Sequence, residues 1–127
     1  MKKIIAFAGT NSKTSINKQL VTYSASLLND VDVTILDLND YELPLFGVDF
    51  EKEHGIPQNA HNFLDFIKSS DGVMLSLAEH NGAYSTAFKN LFDWMSRIEG
   101  KTFFVATDQK PLLGKKIFSW QMTLVCL

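Results

Sequence analysis

This chain is poor in cysteine and has no large excess of charge of either sign. Cys126 is the only cysteine among the 127 residues, so an internal disulfide and a Cys-x-x-Cys motif are both excluded. The 12 Lys and Arg and the 14 Asp and Glu residues give a formal net charge of −2. They form no basic cluster that could neutralise a nucleic-acid backbone, and we expect no nucleic-acid partner.

Long apolar runs are also lacking. None approaches the roughly 18 residues that are needed to cross a bilayer, and the polar segment 9–12 ends the first apolar run too early for a secretory signal. His54 and His61 lie near acidic residues without the spacing of a metal site. With 46% apolar residues, we expect residues 1–127 to form a single cytoplasmic domain that contacts no membrane and holds no metal.

Short apolar runs alternate along the chain with segments of helical period. This alternation predicts an α/β fold, with a parallel sheet and helices on both of its faces. Residues 38–57 lose periodicity and collect proline and glycine, so we expect a long loop there. The predicted strands are 3–8, 31–37, 72–77 and 101–106, and the predicted helices begin at about residues 16, 60 and 84.

The third predicted helix carries more apolar surface than one sheet face requires. Its stripe consists of Tyr84, Phe88, Leu91, Met95 and Ile98. Trp94 and Met95 are interpreted as packing residues, because aromatic and Met side chains at helical spacing usually belong to a core. Phe92 and Trp94 lie away from the main stripe, which suggests a partner subunit and hence a homodimer or tetramer.

The turn after the first strand has the composition of an anion site. Residues 9–17 read Gly-Thr-Asn-Ser-Lys-Thr-Ser-Ile-Asn and open a helix that Thr14 or Ser15 can cap. Asn11 and Thr14 stand where a GxGxxG dinucleotide fingerprint requires glycine. The hydroxyls suit a monophosphate held by neutral hydrogen bonds, as in flavin mononucleotide (FMN), at the positive end of a helix. An ordinary capped helix start is the alternative interpretation.

The turn after the third strand is the second candidate site. The buried run 72–77 leads directly into the polar residues Glu79-His-Asn-Gly82 and then into a helix. Open α/β sheets bind ligands at the carboxyl ends of their strands. Asn81-Gly82 is a strong turn pair, and glycine would let backbone amides approach a planar ring.

These motifs resemble those of the NAD(P)H-dependent FMN reductases of the flavodoxin-like fold, a group that includes chromate, quinone and azo reductases. The resemblance covers roughly residues 3–113. Gly9-Thr10 with Ser15 and Asn17 resembles the family's phosphate loop. Leu43-Pro44-Leu45 resembles its segment after the second strand, and residues 79–94 resemble its Pro-Glu-Tyr-Asn-Gly-Ser and Lys-Asn-x-x-Asp-Trp signature.

The resemblance implies a flavodoxin-like three-layer sandwich with strand order 2-1-3-4. It implies FMN as cofactor and NAD(P)H as co-substrate, and no catalytic acid or base, because the hydride chemistry belongs to the flavin. Gly9 opens the phosphate loop that the resemblance identifies. The residues expected to hold the phosphate are Thr10, Ser12, Ser15 and Asn17, and those expected to line the ribityl chain and the ring edge are Ala78, Glu79, His80, Asn81 and Gly82.

The chain departs from the family pattern at several positions. Ser12 stands in place of an arginine, His80 in place of a tyrosine and Ala78 in place of a proline. The third flavin-binding loop is missing, and the fifth strand is altered or missing. Residues 110–113 resemble the family's fourth strand and compete with 101–106 for that position. We interpret residues about 114–127 as an atypical, truncated or frameshifted terminus, or alternatively as a replacement strand at 116–125.

The function expected from the resemblance is an NAD(P)H-dependent FMN oxidoreductase. It would pass electrons in a ping-pong cycle to a small acceptor such as free flavin, a quinone, an azo compound or an oxidised metal ion. The main alternative is a non-catalytic flavodoxin-like module that binds flavin or another protein. A flavodoxin-type electron carrier is a third possibility, but it usually has a strongly acidic face, which a net charge of −2 does not suggest.

Overall fold

A computed structural model describes residues 1–99 and the strand 116–122, the latter as backbone. Helices and strands alternate along the chain as the sequence predicts. In chain order the elements are β1 (Lys2–Gly9), α1 (Ile16–Ser26), β2 (Val31–Leu36), a 3-10 helix (Leu38–Tyr41), α2 (Val48–His54), α3 (Gln58–Ser69), β3 (Gly72–His80), β4 (Ala83–Tyr84), α4 (Thr86–Glu99) and β5 (Lys116–Met122).

Four parallel strands form the sheet in the order β2-β1-β3-β5. This is the predicted 2-1-3-4 order, with β5 in the fourth position. Its bounds agree with the replacement strand that was the alternative interpretation of the terminus, whereas 101–106 and 110–113 lie outside the described residues. β4 adds only a two-residue antiparallel extension to the end of β3.

Helices cover both faces of the sheet, and β1 and β3 are therefore buried on both sides. Phe7 and its neighbours on one face pack against α3 and α4, and Phe63 meets Phe7 edge-on at 5.0 Å. The opposite face is lined by small residues, Ala6 and Ala8, against which α1 packs. Full burial of a side chain such as Phe63 contributes about 2–3 kcal/mol through the hydrophobic effect. The layers are those of the predicted sandwich.

The sequence predicts α1 from the helical spacing of Ile16, Leu20, Tyr23 and Leu27, but these residues do not form its buried face. Ile16 is 44% exposed and Tyr23 is 64% exposed, whereas Asn17, Val21 and Ala25 face the sheet. The alanines of the sheet and the small side chains of α1 face each other in this layer. The side-chain oxygen of Asn17 accepts a hydrogen bond from a buried serine. The helical period was therefore real, but it did not identify the inward face.

Residues 38–57 are more regular than the long loop that the sequence predicted. They contain the 3-10 helix and the seven-residue α2, whose sequence has no apolar stripe because none of its residues is buried. Acidic residues in its first turn and basic residues in its last favour the helix through its dipole. Arg97 of α4 binds the Glu51 carboxylate of α2 through two nitrogens, at 2.7 and 3.0 Å.

Trp94 is a packing residue, as expected. It is fully buried, its Nε1 donates to the Pro44 carbonyl oxygen at 2.8 Å, and Phe46 meets its ring edge-on at 5.1 Å. The chain's own segment 44–50 covers this ring, and Phe92 packs partly buried against the main core. Within the described residues, no helix combines the length and the apolar character that a membrane span requires.

Candidate functional site

The two candidate loops lie at the same edge of the sheet. β1 and β3 are parallel neighbours in which Gly9, the last residue of β1, is the partner of Leu77, so their carboxyl ends lie at the same edge of the sheet. The hydroxyl of Ser85, at the start of α4, donates to the carbonyl oxygen of Gly9 at 2.8 Å. The turn after β1 is thereby joined directly to the segment that follows β3.

Gly9 is required by close packing at this junction. A Cβ atom added to Gly9 would lie 2.7 Å from Cδ2 of Leu77 and 3.3 Å from Cδ2 of Phe88. Because real Cβ contacts are wider than this, the neighbouring side chains would have to move. The glycine that opens the predicted phosphate loop therefore has a structural role of its own, which the sequence did not reveal.

Two hydroxyl groups in the first loop accept hydrogen bonds from backbone amides. Ser15 caps α1 by accepting from the Lys18 amide at 3.3 Å, and Thr10 Oγ1 accepts from the Ser12 amide at 3.1 Å. Both hydroxyls are buried, and neither proton has an acceptor among the residues that the structure describes. The first turn of α1 has no acidic residue. This donor set at a helix N-terminus fits a phosphate group.

Asn17 is buried and serves as a brace between α1 and β3. Its Oδ1 accepts from the hydroxyl of Ser76 at 2.7 Å, and Ser76 is itself fully buried. The Nδ2 group of Asn17, which is its side-chain donor, has no partner among the described residues. Asn17 therefore holds the first turn of α1 against the sheet, beside the hydroxyls that the sequence grouped with it.

The cations near the first loop have different surroundings. Lys18 forms an ion pair with Asp37 at the end of β2. Burial raises the pKa of Asp37, but hydrogen bonds from Lys18 and Asn39 and the Lys18 charge outweigh that effect and lower it. Lys13 is exposed and has no carboxylate partner within the described part of the chain. It is the cation in the loop that remains available to an anion.

In the second loop, the strand continues further than predicted. β3 extends through Ala78, Glu79 and His80, and the two-residue turn Asn81-Gly82 leads into β4. Both turn residues have positive φ, 53° at Asn81 and 81° at Gly82, the combination that favours Asn-Gly in tight hairpins. In the part of the chain that the structure describes, no atom lies within 4 Å of a Cβ added at Gly82, so the backbone conformation is what favours glycine there.

Two clefts flank the N-terminus of α4. One, of about 440 Å³, lies against Asn11 and Ser85, and the other, of about 800 Å³, lies against Ala78 and Gly82. Such volumes suit small organic ligands. Glu79 does not line either cleft, and His80 and Asn81 lie exposed beside them. Leu45, Thr86 and Asn90 line both clefts.

Sequence reasoning missed Asn11, Ser76 and Ser85 at this site. Ser85 carried a usable signal, because a serine just before a helical stripe is a typical N-cap, and its oxygen does accept from the Phe88 amide at 3.2 Å. Ser76 lies inside an apolar run, where nothing in the sequence shows which polar group it meets. Asn11 lines the smaller cleft together with Ser85, which is distant from it in sequence, so no local pattern indicates this position.

Comparison with known proteins identifies the family of this chain. The family model described as NADPH-dependent FMN reductase matches residues 2–121. The chain belongs to this family. The expected family and fold are confirmed, and the description of the family names NADPH and FMN.

Two relatives of this chain are named as quinone reductases. A 2-hydroxy-1,4-benzoquinone reductase from a Burkholderia species is 32% identical over 101 residues, which are 79% of this chain and 53% of that protein. A quinone reductase from Escherichia coli (strain K12) is 28% identical over 78 residues, 58% of this chain and 42% of that protein. The chain thus spans about half the length of the curated relatives it matches.

Solved structures of flavoenzymes share the fold. FerB, a flavoenzyme NAD(P)H:(acceptor) oxidoreductase from Paracoccus denitrificans, is 26% identical with a TM-score of 0.61, covering 76% of this chain and 52% of that one. An azoreductase from Bacillus anthracis has a TM-score of 0.63 at 21% identity, covering 95% of this chain and 68% of that one. The second likeness concerns the fold alone.

Proposed function

We propose that this chain binds FMN and acts as an NAD(P)H-dependent oxidoreductase toward a small acceptor of the quinone type. One observation carries the proposal. Two buried residues whose hydroxyl protons have no acceptor among the described residues, Thr10 and Ser15, belong to the loop that leads into α1, and Ser85 joins this loop to the clefts beside α4. The family match and the quinone reductases among the relatives support the same assignment.

The first loop would hold the phosphate of the cofactor. Thr10 and Ser15 would donate their hydroxyl protons to it, and exposed Ser12 would add a third hydroxyl. Because no arginine is present in the loop, most of the attraction would come from neutral hydrogen bonds and the helix dipole. Lys13 would supply the one full positive charge of this loop. Asn17 would act mainly by fixing the first turn of α1.

The second loop would face the ribityl chain and the ring edge. Ala78 and Gly82 line the larger cleft, and Glu79, His80 and Asn81 connect these two residues along the chain. When bound, FMN supplies the redox chemistry, since it takes a hydride from NAD(P)H and gives electrons to the acceptor in a ping-pong order. No side chain in the described site is assigned as an acid or base.

The proposal includes an assembly and a location. We assign a cytoplasmic location because NAD(P)H is an intracellular electron donor. We also assign a homodimer, for which the exposed apolar side chain of Val48, at the start of α2, offers contact surface. Light scattering at the concentration used for assays tests the assembly, and a monomeric mass would contradict it.

A flavin titration followed by an assay tests the function. Quenching of FMN fluorescence on addition of the protein, with NAD(P)H oxidation that depends on a quinone, is the expected result. Quenching without NAD(P)H oxidation would instead identify a non-catalytic flavin-binding module. Fluorescence that stays unchanged with excess protein would overturn the proposal.

A further inference from the structure

Leu45 is an apolar side chain left in solvent at the junction of the two clefts. It is 76% exposed, and it lines both the 440 Å³ and the 800 Å³ cleft. Single exposed leucines are common on protein surfaces and carry no meaning alone. The position of this one is unusual because it forms part of the wall of both ligand-sized cavities.

The backbone on both sides of Leu45 is fixed by α4. The Asn90 side chain binds twice, because its Nδ2 donates to the Pro44 carbonyl at 3.0 Å and its Oδ1 accepts from the Phe46 amide at 2.8 Å. Trp94 Nε1 donates to the same Pro44 carbonyl at 2.8 Å. Three hydrogen bonds thus hold the backbone that carries an exposed leucine. Such preorganisation lowers the ordering cost of binding a ligand.

The charges near Leu45 favour a neutral occupant. Lys89 and Asp93 line the larger cleft, but they form an i,i+4 ion pair with one another. The remaining described residues of that cleft are uncharged, and apolar Phe46, Leu77 and Ala78 lie beside Leu45 in its wall. An anionic acceptor would find no unpaired cation there. A neutral planar ring such as a quinone would be compatible with this wall.

We propose that Leu45 is the specificity-determining apolar contact for the ring of the electron acceptor, and that Asn90 and Trp94 are positioning residues that hold it. The proposal rests on the proposed function, from which it takes the quinone class of the acceptor. It adds which side chain meets the ring and which contacts keep that side chain in place.

Calorimetric titration with 1,4-naphthoquinone tests Leu45. The protein is loaded with FMN and kept free of NAD(P)H, so that binding is measured without turnover. Leu45→Gln, which keeps the length but adds a polar end, is expected to weaken binding by about fivefold or more, since it removes apolar contact. Leu45→Met is expected to retain the affinity. Leu27→Gln is the matched control, because Leu27 is also exposed, at 60%, but lines neither cleft.

A double-mutant cycle tests the positioning role. Asn90→Ala alone is expected to weaken naphthoquinone binding several-fold, because the Pro44-Phe46 backbone loses two of its three hydrogen bonds. In the Leu45→Gln background the same change is expected to add little, since the contact is already lost. Additive effects would show a general structural role of Asn90 and would overturn its assignment.

The outcomes separate this inference from the function on which it rests. If the wild-type protein binds no FMN, the proposed function and the inference fail together. If FMN binding and turnover are normal and Leu45→Gln retains its naphthoquinone affinity, only the inference fails. If that variant instead changes the mass seen by light scattering, with unchanged affinity, Leu45 is a subunit contact and the inference is overturned.

Discussion

The Ser85 hydroxyl joins the start of α4 to the end of β1 by donating to the Gly9 carbonyl oxygen at 2.8 Å. The same oxygen atom of Ser85 accepts from the Phe88 amide at 3.2 Å. Ser85 is almost completely buried, at 1% exposure. One side chain therefore caps α4 and also fixes the end of β1, where the candidate phosphate loop begins. The position of each loop depends on the other through this residue.

Ser85→Ala is expected to lower both stability and FMN affinity. The change removes a helix cap and leaves the buried Gly9 carbonyl without its donor, which costs about 1–3 kcal/mol in the free energy of unfolding. Urea denaturation measures this loss, and a flavin titration measures the affinity. Ser26→Ala is the control, because it removes an exposed hydroxyl that bonds only to the Tyr23 carbonyl. Equal stability of both variants would contradict the role assigned to Ser85.

Ser15→Asp is expected to weaken FMN binding without destabilising the protein. Aspartate is as good an N-cap as serine, so α1 should remain capped, but its charge would face the phosphate. Repulsion of about 1–4 kcal/mol at close range corresponds to about fivefold weaker binding or more. Ser15→Asn is the matched control, since it has nearly the same shape without the charge. If both variants bind FMN equally well, the phosphate is held elsewhere.

The parts of the fold that could be predicted from the sequence are those with a regular pattern of apolar residues. β1, β3 and α4 carry continuous apolar patterns, so their positions were recovered to within a few residues. α2 could not be recovered, because it buries no side chain and is held instead by Glu51 and Arg97, which are distant in sequence. The inward face of α1 was missed since it is made of small and polar residues.

At the site, too, features set by neighbouring residues could be predicted, whereas contacts between residues distant in the chain could not. Ser15 as an N-cap and Asn81-Gly82 as a turn depend on neighbouring residues, and both predictions are confirmed. Ser76 meets Asn17 across 59 positions of the chain, which no local pattern could indicate. Which residues contact the cofactor therefore remains a prediction that the binding experiments must decide.

Asp37 is expected to make stability depend on pH in the acid range. The Lys18 and Asn39 contacts hold its pKa below the ordinary value of 3.8 in the folded chain. A carboxyl group with a lowered folded pKa stabilises the protein above its unfolded pKa, and this contribution is lost as the pH falls through the folded pKa. Urea denaturation at a series of pH values from neutral to below about 4 measures the dependence.

Asp37→Asn is expected to cost roughly 0.5–1 kcal/mol at neutral pH, the usual range of a partly exposed ion pair. It should also flatten the loss of stability on acidification. Asp32→Asn is the control, because Asp32 is exposed on β2 and has no ion pair in the described part of the chain. An acid dependence that is the same in wild type and Asp37→Asn would assign the effect to other carboxylates.

Gly82 tests whether the hairpin beside the larger cleft needs its backbone conformation or merely space. Its φ of 81° is unfavourable for residues with a Cβ, although no atom of the described residues would collide with one. Gly82→Ala is therefore expected to cost about 1 kcal/mol, whereas Gly82→Asn should recover part of this loss because asparagine tolerates positive φ. If alanine and asparagine have equal effects on the urea midpoint, backbone strain is not the cause. If Gly82→Asn recovers stability but still binds FMN more weakly than the wild type, FMN binding requires that residue 82 has no side chain.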